Sequence, residues 1–175
     1  MLPLTLKDSQ LQFSAYLKDI SEDYNRPEKL GRLMTDIQTS DASQLLELKA
    51  QFSLSFAQTD FSTFDEKGQA WSNFADATLQ RALELAWAES AKRHRFPIDS
   101  KTPTGLFILG LGKLGGYDLN FSSDVDLIAF FDPDHFPVPE HKGQAYIASD
   151  ICKRMTQILY PVSYTHLTLP TTPYV

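Results

Sequence analysis

Apolar residues recur every three or four positions along the first half of the chain, a pattern that predicts amphipathic helices. Residues 43–57 carry one such face, formed by Leu45, Leu48, Phe52 and Phe56. Residues 66–94 carry a wider stripe, made of Trp71, Phe74, Thr78, Leu79, Ala82, Leu83, Leu85 and Trp87. A stripe of this width indicates burial against more than one neighbour. We therefore interpret residues 1–100 as a helical segment whose role is packing.

The longer of these helices has signals at both of its ends. Thr63 and Glu66 have the spacing of a capping box, and Asp65 is a rival N-cap. Pro97 follows a basic last turn and predicts the end of the helix.

After residue 100 the pattern changes to short apolar runs, which predict strands. Residues 105–109 and 125–131 are rich in β-branched and aromatic residues and are bounded by turn residues. Both parities of the second run are apolar beyond its first residues, so we expect that strand to be buried on both faces. Residues 143–159 return to a helical period, and Cys152 lies on their apolar face, where we expect a core residue. Together these elements predict an α+β core over residues 101–162.

The last thirteen residues, 163–175, do not continue this pattern. They have no helical period, and they carry no acidic or basic residue other than His166. Their sequence, SYTHLTLPTTPYV, resembles translated sequencing adapter. We expect this tail to be non-native, the native sequence to end near residues 160–162, and the chain to be a fragment with an incomplete core.

Composition narrows the class of function. The chain has 175 residues, 16 of them basic and 22 acidic, and its net charge is −6. This balance disfavours binding of a nucleic-acid polymer, which needs clustered cations. The single cysteine excludes an intramolecular disulfide and a Cys-based zinc site. We find no signal-peptide pattern and no long apolar run, so we expect a cytoplasmic protein without a membrane span.

A cluster of glycines after the first strand allows two interpretations. Gly110, Gly112 and Gly115 fit the G-x-G-x-x-G pattern of dinucleotide-binding proteins. That fold needs a full helix and then a parallel strand, a connection of about ten residues or more. Only residues 117–123 separate the glycines from the next acidic strand. The dinucleotide interpretation is therefore the weaker one.

The stronger interpretation is a metal-dependent nucleotidyltransferase. Asp124 and Asp126 are one residue apart at the start of the second strand, so their carboxylates share a face about 6.5 Å apart. This spacing suits a two-metal site, and hard oxygen ligands favour Mg²⁺. The alternative is that the two acids are solvated residues at the end of the strand and have no binding role. Asp132 shares the same parity but lies about 20 Å along the strand, where we expect a turn residue.

The residues around the acids provide groups for phosphate binding. Gly115 and Gly116 permit close approach of backbone N–H groups to phosphate oxygens. Ser122 and Ser123 add hydroxyl donors. Lys113 adds a positive charge, and the alternative is a surface lysine without a binding role. We expect Asn120 to be a turn or cap residue.

The string LGLGKLGGYDLNFSSDVDLIAF at residues 109–130 is similar to the glutamine synthetase adenylyltransferase/adenylyl-removing enzymes. The resemblance implies a nucleotidyltransferase fold of the DNA polymerase beta type, truncated here and preceded by a helical segment. It implies catalytic, metal-binding roles for Asp124 and Asp126 with Mg²⁺, and phosphate-side roles for Gly115, Gly116 and Ser123.

By the same resemblance, the parent enzyme moves AMP to or from a tyrosine of glutamine synthetase, with ATP, ADP and phosphate as small substrates. The Asn-Phe-Ser-Ser-Asp form at residues 120–124 is typical of the adenylyl-removing domain, which works by phosphorolysis. A PII-type nitrogen-signalling protein is an implied partner.

The family also carries a third carboxylate on a later strand of the form V-D-x-R-L-R-P, and this chain has no such sequence. Asp150 lies within a predicted helix and is a poor substitute. We therefore expect the chain itself to be inactive and the outer edge of its second strand to be open. A non-catalytic nucleotide-binding regulatory domain is the alternative.

Overall fold

The computed structural model describes residues 27–121, 123–160 and 165–168. Its helices are α1 (Pro27–Ile37), α2 (Ala42–Gln58), α3 (Phe64–His94), α4 (Gly112–Gly115) and α5 (Gln144–Leu159), with a 3₁₀ turn at Glu140–Lys142. Its strands are β1 (Leu106–Gly110), β2 (Val125–Phe131) and β3 (Thr165–Thr168). This part of the chain is α+β, as the sequence predicts. None of its helices is long and apolar enough to cross a bilayer.

Side-chain caps determine where α2 and α3 begin. Asp41 Oδ1 accepts the Gln44 N–H at 3.0 Å, and Gln44 Oε1 accepts the Asp41 N–H at 2.8 Å. Thr63 caps α3 as predicted, because its Oγ1 accepts the Glu66 N–H at 3.2 Å. The Glu66 carboxylate, however, accepts the Ser62 N–H rather than that of Thr63. The predicted capping box is therefore only half formed.

Aromatic side chains join α2 to α3. The Phe52 ring stacks on Phe74 with centroids 4.1 Å apart and lies 5.3 Å from the Trp71 ring. All three side chains are buried, so these ring contacts add to the stabilisation that comes from removing apolar area from water. Residues 27–100 thus contain the three helices α1 to α3, and residues 1–26 of the predicted segment lie outside the described residues.

The sheet is mixed, with strand order β1-β2-β3. β1 is antiparallel to β2, with Leu106 opposite Phe131 and Gly110 opposite Leu127. β3 is parallel to β2. One face of the sheet joins the same core as α3 and α5, because Leu106 and the alternate residues of β2 are buried.

The apolar face of α5 is the deepest part of this core. Its buried hydrophobic members, at 2% exposure or less, are Ile147, Ala148, Ile151, Cys152, Met155 and Leu159. Burial raises the pKa of the Cys152 thiol to about 11. Cys152 is thus a core residue, as predicted.

The expectation that β2 is buried on both faces is wrong. Phe130 is 49% exposed, and its cross-strand partner Phe107 is 55% exposed. Leu109, opposite Ile128, is 51% exposed. The described helices pack on one face of the sheet, so the alternate positions of β1 and β2 remain in contact with solvent.

The expectation of an open outer edge on β2 is also wrong. β3, which lies within the suspected tail, pairs along that edge and places Asp126 opposite His166. No acidic residue occurs in β3. The strand that follows β2 in the described residues therefore carries no carboxylate.

We predict that Phe52→Ala lowers the free energy of unfolding by about 3–5 kcal/mol, because it leaves a cavity beside the rings of Trp71 and Phe74. Urea denaturation followed by tryptophan fluorescence measures this loss. Phe64→Ala is the matched control, since Phe64 is 70% exposed and its truncation removes little buried area. Equal losses in the two variants would contradict this account of the core.

Candidate functional site

A tight glycine turn follows β1. Gly112 has φ +55°, a conformation that glycine adopts without strain, and the Gly115 N–H donates to Leu111 O at 3.2 Å. A Cβ added to Gly115 would lie 2.6 Å from the carbonyl oxygen of Gly110. The Gly116 N–H donates to Gly112 O at 3.0 Å. Both predicted phosphate-side amides therefore bond carbonyls within the turn, and their observed role is to shape it.

The antiparallel pairing of β1 and β2 brings this turn beside the acidic pair. The Leu111 N–H donates to the backbone oxygen of Asp126 at 2.8 Å. Asp124 and Asp126 are both exposed and flank Val125, which is 4% exposed. Both acids therefore lie on the solvent side of the chain at the start of β2.

Lys113 and Ser123 meet across the site. Lys113 Nζ lies 3.4 Å from Ser123 Oγ, and that hydroxyl donates to Asn120 Oδ1. The Ser123 N–H also donates to Asn120 O at 3.1 Å, which confirms Asn120 as a turn residue. The structure thus brings one basic residue of the glycine turn next to the residue that precedes Asp124. Ser122 lies outside the described residues.

Helix α3 contacts the segment between the glycine turn and the acids. The pattern of apolar residues does not predict this contact. The Leu119 N–H donates to the buried Ser72 hydroxyl at 3.2 Å, and Tyr117 OH donates to Asp76 Oδ2 at 2.9 Å. The Asp76 carboxylate accepts a hydrogen bond from the neutral phenol, and its negative charge disfavours a phenolate. Both effects raise the pKa of Tyr117. The available signal was Ser72, a serine next to Trp71 of the predicted helical stripe.

Asp150 and Asp132 have other partners. Asp150 Oδ2 lies 3.2 Å from both His94 Nε2 and Arg154 Nε, in a polar cluster that joins α3 to α5. Asp132 accepts from the Asp134 N–H at 3.0 Å, and its Oδ2 lies 2.7 Å from His135 Nδ1. That contact with His135 is the main cause of the lowered pKa of Asp132. Asp132 is a turn residue, as predicted.

The donor set at the acidic pair fits a hard divalent cation only in part. Across the described ranges, no three His, Cys, Asp or Glu side chains converge as a metal site. Mg²⁺ commonly takes one or two carboxylates from a protein and completes its octahedron with water and substrate phosphates. Asp124 and Asp126 are suitable for such a site.

The dinucleotide interpretation is wrong. A dinucleotide-binding unit requires a parallel strand pair joined by a full crossover helix. Here β1 and β2 are antiparallel, and α4 between them has only four residues.

The fold and the site together define an α+β domain with a glycine turn beside a pair of exposed carboxylates. The family model described as glutamate-ammonia ligase adenylyltransferase matches residues 6–165. The chain belongs to this family.

Curated relatives agree with this assignment, and each is named a bifunctional glutamine synthetase adenylyltransferase/adenylyl-removing enzyme. The relative from Mesorhizobium japonicum is 32% identical over 69% of this chain and 13% of its own length. The relative from Caulobacter vibrioides is 36% identical over 66% of this chain and 12% of its own length. One from a Bradyrhizobium species is 48% identical over 37% of this chain and 7% of its own length. The chain thus matches about an eighth, or less, of these relatives.

We predict that Gly115→Ala destabilises the protein by about 1–3 kcal/mol, since the new methyl group would press on backbone that cannot move aside. Gly116→Ala is the control, because a Cβ there would lie 3.4 Å from its nearest neighbour, Gly112 O, an ordinary contact. Urea unfolding followed by circular dichroism compares the two. If Gly115→Ala is as stable as Gly116→Ala, the close approach of the turn to β1 is refuted.

Proposed function

We propose that this chain contributes a nucleotidyltransferase-type core, related to that of DNA polymerase beta, to an enzyme that moves AMP to or from a tyrosine of glutamine synthetase. The observation that carries the proposal is the pairing of the glycine turn with the acidic strand through Leu111 N–H and Asp126 O, 2.8 Å apart. The family assignment and the names of the relatives supply the protein substrate.

The reaction that we favour is removal of AMP by phosphorolysis. An oxygen of inorganic phosphate attacks the phosphorus of the adenylyl-tyrosine, and the bond from that phosphorus to the tyrosine oxygen breaks. The products are ADP and an unmodified tyrosine, whose oxygen takes up a proton from solvent. Support for this direction is the Asn-Phe-Ser-Ser-Asp form at residues 120–124, which resembles the adenylyl-removing domain of the family.

In this proposal Asp124 and Asp126 are the catalytic residues, and their carboxylates would hold Mg²⁺. When bound, the cation supplies positive charge that offsets the negative charge of the two phosphate groups. Without it, the paired carboxylates would repel an incoming phosphate. Both acids lie at the solvent side of β2, where substrate can reach them.

Lys113 and Ser123 are the proposed phosphate-side contacts. The Lys113 ammonium lies 3.4 Å from Ser123 Oγ, so both donors reach the same space beside Asp124. Gly115 and Gly116 contribute to that phosphate-binding turn, because the missing side chain of Gly115 lets the turn lie against the end of β1. The proposal includes a cytoplasmic setting, with ATP or ADP as nucleotide and a PII-type protein as regulator.

A non-catalytic regulatory domain is the second candidate. It is favoured by the absence of a third acid around the pair in the described residues and by the pairing of Asp126 with His166. A domain that keeps two metal ligands can still bind a nucleotide through Mg²⁺ but lacks the full set for transfer.

We predict that a chimaera in which residues 27–160 replace the matching segment of the Caulobacter vibrioides relative removes AMP from adenylylated glutamine synthetase. In that chimaera, Asp124→Asn or Asp126→Asn lowers the rate by about a hundredfold or more, because loss of a ligand removes several kcal/mol of charge stabilisation. Formation of ADP from phosphate measures the rate.

Asp134→Asn serves as the matched control, since Asp134 is an exposed acid beyond the opposite end of the same strand. Its rate stays at that of the parent chimaera. Undiminished AMP removal by the Asp126→Asn chimaera would reject the catalytic assignment. A chimaera that binds ADP with Mg²⁺ but never forms it from adenylylated substrate would favour the regulatory candidate.

A further inference from the structure

We propose that the first half of α3 is a positioning element for the carboxylate pair, with Ser72 as its central positioning residue. The inference rests on the proposed function, because it concerns how Asp124 and Asp126 are set for a metal ion. It assigns a role to residues on a helix whose sequence predicts only packing.

The two carboxylates have different supports. Asp126 lies within β2, whose neighbours on both edges hold its backbone. Asp124 lies outside the strand and follows residues 117–121, which we call the anchor segment. The separation of the two carboxylates therefore depends on what holds the anchor segment.

A row of residues on α3, spaced four apart, follows the backbone of the anchor segment. Gly68, Ser72 and Asp76 recur at the helical period and so share one face. A Cβ on Gly68 would lie 3.0 Å from the Cα of Asp118, so only glycine allows the helix to approach this closely without a shift. Along this row the helix and the anchor segment are in close contact, which leaves little room for them to move relative to each other.

Ser72 supplies the buried hydrogen bond of this contact. Its hydroxyl is fully buried and accepts the Leu119 N–H at 3.2 Å. Leu119 is itself 3% exposed, so without Ser72 Oγ its N–H would be left in the core with no water at hand.

Two more contacts lie beside this bond. Tyr117, at φ +56°, donates its hydroxyl to Asp76 at 2.9 Å. The Phe121 ring lies 5.3 Å from the Trp71 ring. Both ends of the anchor segment are therefore attached to α3. Tyr117 contacts Asp76, one helical turn after Ser72, and Phe121 contacts Trp71, directly before Ser72.

The anchoring extends to the acid through the turn at Asn120. The Ser123 N–H and hydroxyl both bond Asn120, which directly follows Leu119. A shift of Leu119 would pass through this turn to Asp124 but would leave Asp126 in the sheet. Ser72 thus controls the separation of the pair without touching the metal ion.

The test is binding of Mn²⁺ to the full chain, followed by electron paramagnetic resonance of the free ion, with Mg²⁺ as competitor. Substitution of residues that orient metal ligands typically lowers metal affinity by about tenfold or more, and we expect about tenfold for Ser72→Ala. We expect a smaller loss, about twofold to threefold, for Tyr117→Phe, because the hydrogen bond that it removes is exposed to solvent, whereas that of Ser72 is buried.

The controls match each variant in type and burial. Ser90 is a second fully buried serine of α3, and its hydroxyl donates to Asp150 at 3.3 Å, away from the anchor segment. Tyr146 is an exposed tyrosine on α5. Ser90→Ala and Tyr146→Phe should bind Mn²⁺ as the unsubstituted chain does.

Unchanged Mn²⁺ affinity in a folded Ser72→Ala protein would overturn the proposal, and so would an equal loss in Ser90→Ala. If Ser72→Ala does not fold, the Mn²⁺ affinities of Tyr117→Phe and Tyr146→Phe are compared instead. Unchanged affinity in Tyr117→Phe, or an equal loss in both, would overturn the proposal. Failure of the proposed function has a different signature: Mn²⁺ does not bind, or binds equally well to Asp126→Asn, and this result overturns both.

Discussion

The antiparallel pairing of β1 with β2 determines where the chemistry-bearing groups of this protein meet. β1 ends at Gly110, and the N–H of the next residue, Leu111, donates to the backbone oxygen of Asp126 at 2.8 Å. A parallel arrangement would have carried the glycine turn to the opposite end of β2. With the antiparallel one, the turn, its lysine and both carboxylates share one end of the sheet.

The helical layer completes this arrangement from the other side. α3 joins the sheet in one core, and it also bonds the segment that leads from the turn to Asp124. In our proposal, strand pairing holds the backbone of Asp126, and the helix holds the segment that leads to Asp124. Two supports of this kind would keep the pair of like charges in place for a cation, which would offset their repulsion.

The periodicity of apolar residues predicts α2, α3, α5, β1 and β2, because each has a face that must be buried, but it predicts neither α1 nor β3. The same periodicity could not show that Phe107 and Phe130 are exposed, since exposure depends on what covers a face and not on the residues in it. Ser72 gave a weak signal, because a buried serine and a solvated one look alike in a sequence. The contact between Lys113 and Ser123, the residue before Asp124, was predictable only as proximity along the chain, and the pairing of the strands supplied the rest.

The central claim is that a divalent cation binds at Asp124 and Asp126, beside the glycine turn. Nuclear magnetic resonance with substoichiometric Mn²⁺ tests this directly, because the ion broadens signals of nearby amides. The account predicts that the amides of residues 123–127 and 111–113 broaden first, and that excess Mg²⁺ restores them. Broadening centred on Asp132, on Asp150 or evenly over the acidic surface would contradict it.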